Sequence, residues 1–214
     1  KRVLDLLNQG KTPVVLGGEH SVSLGLIQAL SEQNKSFGIL QIDAHADLRK
    51  SYEELKQSHA SIMFNSLAFK SVRKLVQVGV RDLCDEEMNK INSDKRIKTY
   101  FDWDLQKEKF EGKYWSEKVK EIIAQLPQNV YISFDVDGLS PDNCPNTGTP
   151  VPGGLSFSEA RYLLIELAKS DKKIIGFDLC EVSPGQNEWD ANIGARLLWE
   201  LCSCLKINEK IHQK

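Results

Sequence analysis

No apolar run in this sequence approaches the roughly 20 residues a membrane-spanning helix needs. No targeting segment with a basic start and an apolar centre is present either. Charge of one sign is lacking: 28 Lys and Arg face 30 Asp and Glu, a net charge of -2. Neither nucleic acid nor an anionic membrane surface is therefore an expected partner. The five cysteines, Cys84, Cys144, Cys180, Cys202 and Cys204, are odd in number, scattered, and form no C-x-x-C pair. Reduced thiols in a cytoplasmic setting are expected, not disulfides or a thiolate zinc cluster. No repeat, low-complexity tract or linker divides the chain, so one domain over residues 1–214 is expected. The sequence opens on Lys1, not methionine, which implies a processed chain or an absent front segment. What is present is ordinary for a globular protein, with 41% hydrophobic and 27% charged residues.

Short apolar runs alternate with amphipathic stretches. Strands are expected at 12–16, 37–42, 74–80, 97–101, 129–134 and 173–179. Helices are expected over 2–9, stopped by Gly10, and over about 22–33, 60–69, 85–93, 114–125, 157–169 and 188–205. Ser21 and Ser156 are positioned to cap two of them. The strands lack clean polar–apolar alternation, which implies burial on both faces. The expected fold class is α/β, a three-layer α/β/α sandwich around a mainly parallel sheet. Such sheets place their sites beyond the carboxyl ends of their strands.

Metal-type side chains collect at those ends. His20 follows the first strand, Asp43, His45 and Asp47 the second, and Asp135 and Asp137 the fifth. Singly, each has a plain reading: a packed histidine, a solvated Asp-rich loop, a common Asp-x-Asp turn. Asp178 could cap the loop beyond its strand, and Glu181 could be a surface carboxylate. Six such groups on three neighbouring strand ends exceed the needs of one ion and suit a pair. Two ions about 3.5–4 Å apart can share a water and lower its pKa. A carboxylate-rich set with two imidazoles favours manganese over structural zinc.

Gly17-Gly18-Glu19-His20-Ser21, Asp43-Ala44-His45-Ala46-Asp47 and Ser133-Phe134-Asp135-Val136-Asp137-Gly138-Leu139 resemble the three signature motifs of the ureohydrolases. That family includes arginase, agmatinase and formimidoylglutamase. Thr147-Gly148-Thr149-Pro150, Gly153-Gly154 and the 178–184 segment are similar to its remaining motifs. The resemblance implies a binuclear manganese hydrolase that splits a guanidinium group into urea and an amine. By motif, His20, Asp43, Asp47 and Asp135 would hold one ion. His45, Asp43, Asp135 and Asp137 would hold the other, with Asp43 and Asp135 shared. Glu181 would orient the guanidinium. His59, in Ser58-His59-Ala60, would shuttle a proton to the leaving amine. The resemblance also implies a trimer or hexamer.

Agmatine is the expected substrate. The 48–57 loop, Cys84 in place of an arginase-type aspartate, and Glu86-Glu87 look agmatinase-like. Arg49 and Lys50 argue for a carboxylate-bearing substrate such as arginine, unless they face solvent. Another guanidino-acid hydrolase, or a non-catalytic metal-bound relative, are the alternatives. A single-zinc deacetylase of related fold would need fewer carboxylates. Two departures stand out. The third motif ends Ser140-Pro141 where Asp-Pro is usual, which puts a loop-fixing hydrogen bond in doubt. Only 16 residues precede Gly17, which leaves a sheet edge and part of the site wall in question.

Overall fold

Apolar runs without alternation become strands covered on both faces. The computed structural model describes residues 1–33 and 36–213. Its strands are β1 (Val14–Leu16), β2 (Phe37–Ile42), β3 (Val72–Val80), β4 (Ile97–Phe101), β5 (Asn129–Asp135) and β6 (Lys173–Cys180). All six pair in parallel in one sheet, ordered β1-β6-β5-β2-β3-β4. Among the described residues the helices are α1 (Arg2–Asn8), α2 (Leu24–Gln33), α3 (Ile62–Ser66), α4 (Asp85–Ser93), α5 (Asp102–Phe110), α6 (Trp115–Ala124), α7 (Phe157–Lys169) and α8 (Trp189–His212).

Every residue of β2 is buried, and successive side chains enter different cores. Leu40 and Ile42 join Val119, Leu163, Leu167 and Leu197 under α6, α7 and α8. Phe37 and Ile39 join Leu26, Ile27, Ile62 and Met63 under α2 and α3. These are the outer layers of the α/β/α sandwich.

The chain leaves β2 toward β3 and β4, then returns on the other side of β2 to build β5 and β6. That reversal opens a crevice between the carboxyl ends of β2 and β5, where a parallel sheet receives its ligands. The expected adjacency of three strand ends is corrected in one respect. β6 lies between β1 and β5, so it inserts Asp178 and Glu181 beside His20. β1 forms a sheet edge, with Val14 42% and Leu16 62% exposed.

Ser156 caps α7 as expected: its hydroxyl accepts from Glu159 N at 3.2 Å, and the Glu159 carboxylate accepts from Ser156 N at 2.9 Å. Ser21 does not cap α2. Residues 20–23 form a 3-10 turn, and the Ser21 hydroxyl donates to the Glu19 carboxylate. The expected 60–69 helix is shorter, a 3-10 turn at His59–Ser61 followed by α3. α5 occupies a stretch where no helix is expected, and α8 runs seven residues past its expected end, to His212 rather than 205.

Candidate metal centre

Each strand end delivers its side chains through a tight backbone. Beyond β1, a Cβ on Gly17 would collide with the side chains of Val22 and Cys180, so a larger residue would push them aside where the chain turns inward to His20. Beyond β5, a Cβ on Gly138 would lie 2.6 Å from Asp43 N, so the third motif can press against the second only at a glycine. Arg81 then ties the third motif down. Its guanidinium donates to Asp137 O at 2.7 Å, Leu139 O at 3.1 Å and Val151 O at 3.0 Å. The Ser140 departure is accommodated, because its hydroxyl accepts from Asn143 Nδ2 at 2.8 Å.

The structure brings His20, Asp43, His45, Asp47, Asp135 and Asp137 together. His20 Nδ1 lies 3.2 Å from Asp43 Oδ2, 3.1 Å from Asp47 Oδ2 and 3.3 Å from Asp135 Oδ2. His45 Nδ1 lies 3.5 Å from Asp43 Oδ1 and 3.1 Å from Asp137 Oδ2. The two oxygens of Asp43 thus face different histidines. Among the described residues three groups have metal-ligating spacing; two of them, His20–Asp43–Asp47 and Asp43–His45–Asp137, are joined through Asp43, and the third is His20–Asp178–Cys180. The second oxygen of Asp135 accepts from Asp137 N at 2.9 Å.

His20 carries the most telling feature. It is fully buried, and its Nε2 meets the Ser133 hydroxyl at 2.8 Å. Ser133 in turn donates to Asp178 at 2.9 Å, which assigns the imidazole proton to Nε2. Nδ1 then turns a lone pair toward three carboxylates and makes no hydrogen bond. An acceptor facing three acceptors, out of water, is stable only with a proton or a metal ion among them. The donor set therefore fits divalent metal.

With protons alone available, the cluster titrates abnormally. Burial would lower the His20 imidazole, but Asp135, Asp43 and Asp47 outweigh it and raise it well above its ordinary value. Burial likewise opposes His45, while Asp137 and Asp43 push it up to about 11. Burial, then the neighbouring Asp43 charge, lift the Asp47 carboxyl to about 8. Burial, then Asp137 and Asp43, raise Asp135 well above the carboxylate range. Asp43 alone goes the other way: burial works against it, but His20 and His45 hold it below that range. Protons occupy positions that metal would take, and metal binding would release them.

Asp178 is not a loop cap. It is buried within β6 and accepts from Tyr131 Oη at 2.6 Å, Ser133 Oγ and Phe134 N. Those bonds account for its closeness to His20 and Cys180 without a further ion. Glu181 is half-buried at the end of β6, and its Oε1 accepts from His20 N at 2.9 Å. Burial lifts its carboxyl, with the His20 N–H bond opposing. Asp47 and Glu181 both hold positive φ, 55° and 63°, a strained state for non-glycine residues that often marks functional positions.

Above the cluster lies a pocket of about 120 Å³ lined by His45, Asp47, Arg49, Tyr52, His59 and Asp82, among others. His59 sits there with Nδ1 3.5 Å from Glu19 Oε2 and its ring edge-on to Tyr52 at 5.4 Å. Arg49 and Lys50 do not point free into this space. Arg49 Nε lies 3.5 Å from the buried Glu87, and Lys50 Nζ 2.8 Å from Glu86. A larger groove of about 550 Å³ along α7 and α8, lined by Phe157, Arg161 and Trp199, holds no such cluster. Glu19, Tyr52 and Glu87 lie in stretches the sequence singled out, but their contacts with His59 and Arg49 bridge distant parts of the chain and needed the fold.

Known proteins resemble this chain in sequence and in fold. The family model described as "Arginase family" matches residues 1–204. An N(1)-aminopropylagmatine ureohydrolase of Thermus thermophilus is 36% identical over 178 residues, which is 83% of this chain and 57% of that protein. An agmatinase of Halalkalibacterium halodurans is 34% identical over 180 residues, 84% of this chain and 58% of that protein. The agmatine ureohydrolase structure of Thermoplasma volcanium superposes with a TM-score of 0.81 at 28% identity, covering 99% of this chain and 68% of that one. The arginase structure of Bacillus caldovelox gives a TM-score of 0.80 at 25% identity, covering 94% and 71%. The chain thus spans under three-fifths of the length of those two curated relatives.

Proposed function

This chain belongs to the arginase family, and from that premise we propose that it hydrolyses a guanidinium group to urea and an amine, with agmatine as substrate and two manganese ions as cofactor. The observation that carries the reading is the unpartnered, buried His20 Nδ1 inside a ring of carboxylates. His20, Asp43, Asp47 and Asp135 would hold one ion; His45, Asp137 and the shared Asp43 and Asp135 the other. An oxygen-rich set with two imidazoles suits manganese. When bound, the ions supply an activated water near neutral pH and offset negative charge that builds during attack.

The chain's own side chains do the rest. Glu181 offers a carboxylate beside the cluster, and a guanidinium presents a fork of N–H donors to it. That pairing sets the guanidinium carbon over the cluster and lowers the entropic cost of attack. His59, at the pocket wall, passes a proton to the departing amine. Glu19 and Tyr52 hold its ring in place. Asp47 lies on both the cluster and the pocket wall, and so links ion binding to the reacting group.

Agmatine is favoured over arginine by the charges around the pocket. Glu87 lies beside Arg49 Nε and Glu86 pairs with Lys50 at the surface, so each cation already has a carboxylate next to it, which weakens the case for an α-carboxylate. Asp82 (62% exposed) and Glu19 (45% exposed) leave a negative rim that suits a second cationic group. Cys84 is the N-cap residue of α4, its backbone N–H donates to Glu87 at 3.0 Å, and its thiol offers no anionic oxygen to an α-amine. The five unpaired cysteines accord with a reducing, cytoplasmic setting.

Urea release from manganese-loaded protein, with agmatine and L-arginine run side by side, tests the substrate. Release from agmatine at a kcat/KM at least about tenfold above arginine is expected, the effect of roughly one uncompensated charge contact. Preference for arginine would overturn the agmatine assignment and return Arg49 and Lys50 to substrate binding.

A further inference from the structure

Three parallel strands carry one polar residue each into the same lateral row. Thr99 on β4 pairs with Gln77 on β3, and Gln77 with Gln41 on β2. Both glutamines are fully buried. Buried amides are costly unless every donor and acceptor is met, and here they are. Thr99 Oγ1 donates to Gln77 Oε1 at 2.7 Å. Gln77 Nε2 donates to Gln41 Oε1 at 2.6 Å and to Ala46 O at 2.7 Å. Gln41 Nε2 donates to Asp43 Oδ2 at 2.8 Å and to His45 O at 3.3 Å.

All these donors run in one direction and end on a carboxylate. Reversing either amide would set an oxygen against an oxygen, so the order of the chain is fixed. Its last bond is the charge-assisted one, and a one-way chain polarises each member in turn. The same bonds also grip the backbone of residues 45 and 46, so the turn that carries His45 and Asp47 is tied to the row.

We propose that the Thr99–Gln77–Gln41 chain is a positioning device for the metal centre: it holds Asp43 in the orientation where Oδ2 faces His20 and Oδ1 faces His45, and thereby sets the spacing of the two ions. The inference rests on the two-ion reading of the cluster. Neither Thr99 nor Gln77 has an ion-pair or hydrogen-bond contact with the six clustered side chains; both are positioning residues acting through Gln41. The consequence is that affinity for the second ion depends on a hydroxyl two strands away from Asp43.

The test compares wild type with Thr99→Val, Thr99→Ser and Gln77→Leu, each stripped of metal and titrated with manganese. Calorimetry reads the affinities, and low-temperature electron paramagnetic resonance reads the spin-coupled signature of a close ion pair. Thr99→Val is expected to weaken the second ion about threefold to tenfold, the size of one neutral hydrogen bond. Gln77→Leu is expected to weaken it about 10- to 100-fold, as losses in the outer shell of a metal site do. Both should alter the coupled-pair signature, and Thr99→Ser should restore it. A merely structural role would lower the melting temperature of the metal-free protein and leave the signature intact. Wild-type affinity and signature in Thr99→Val, or no rescue by Thr99→Ser, would overturn the inference even if Gln77→Leu fails to fold. A wild type that binds one manganese or none would instead overturn the two-ion reading, and this inference with it.

Discussion

Asp135→Asn is expected to reduce urea release by about a thousandfold or more, the upper range for a lost electrostatic contact at a reacting centre, and to lower manganese content below two per chain. The substitution keeps shape and changes charge. Asp135 Oδ2 faces His20 Nδ1 at 3.3 Å, and Oδ1 accepts from Asp137 N at 2.9 Å. An asparagine oxygen can still accept that backbone bond. Only the anionic oxygen on the His20 side is lost. Burial, with Asp137 and Asp43 beside it, raises the Asp135 carboxyl well above the usual range when no metal is bound, which favours its neutral form. Asparagine imitates that neutral form, so the metal-free variant should melt within a few degrees of the metal-free wild type, while the stabilisation that manganese gives the wild type shrinks. Loss of activity with equal metal-free stability would identify a ligand. Two bound ions and full turnover in the variant would remove Asp135 from the ligand set.

Glu181→Gln should behave differently. Its Oε1 accepts from His20 N, a bond that the glutamine oxygen can keep, so the β6 end and His20 stay in place. What disappears is the negative charge offered to the guanidinium. Truncating one partner of a desolvated charge pair costs about 2–5 kcal/mol, which corresponds to a loss of roughly 30- to 5,000-fold in kcat/KM. Manganese content should remain at two. Measured together, metal content and kinetics separate the two aspartate and glutamate roles: Asp135→Asn loses metal and turnover, Glu181→Gln turnover alone. Unchanged kinetics in Glu181→Gln would end its proposed part in substrate binding.

Much of this arrangement is legible in the chain because two signals coincide. Apolar runs end in Asp or Gly-Gly, so the strand ends announce themselves, and the metal-type residues fall there. β4 and α7 match their expected bounds for that reason, α7 with the Ser156 capping box as well. α5 was not legible, because only Asp102 and Leu105 of its nine residues are buried and no apolar stripe marks it. The end of α8 was hidden by polarity. Asn208 looks like a stop, yet it is buried and bonds Ala168 O, Lys172 O and Ile174 N, holding the last turns against β6. Sheet order is non-local, so the insertion of β6 beside β1 carried no sequence signal. The same holds for Thr99, Gln77 and Gln41. A lone glutamine in an apolar strand reads as noise until register sets it beside another. Arg49 and Lys50 were ambiguous alone, and their pairing with α4 required the fold.

The central claim is that two ions, sharing Asp43, act together on a guanidinium. Metal-free protein titrated with manganese, with urea release from agmatine followed at each step, tests it most directly. Activity is expected to rise with the second equivalent and to stop rising at two per chain. Full activity at one equivalent, or none with two ions bound, would contradict it.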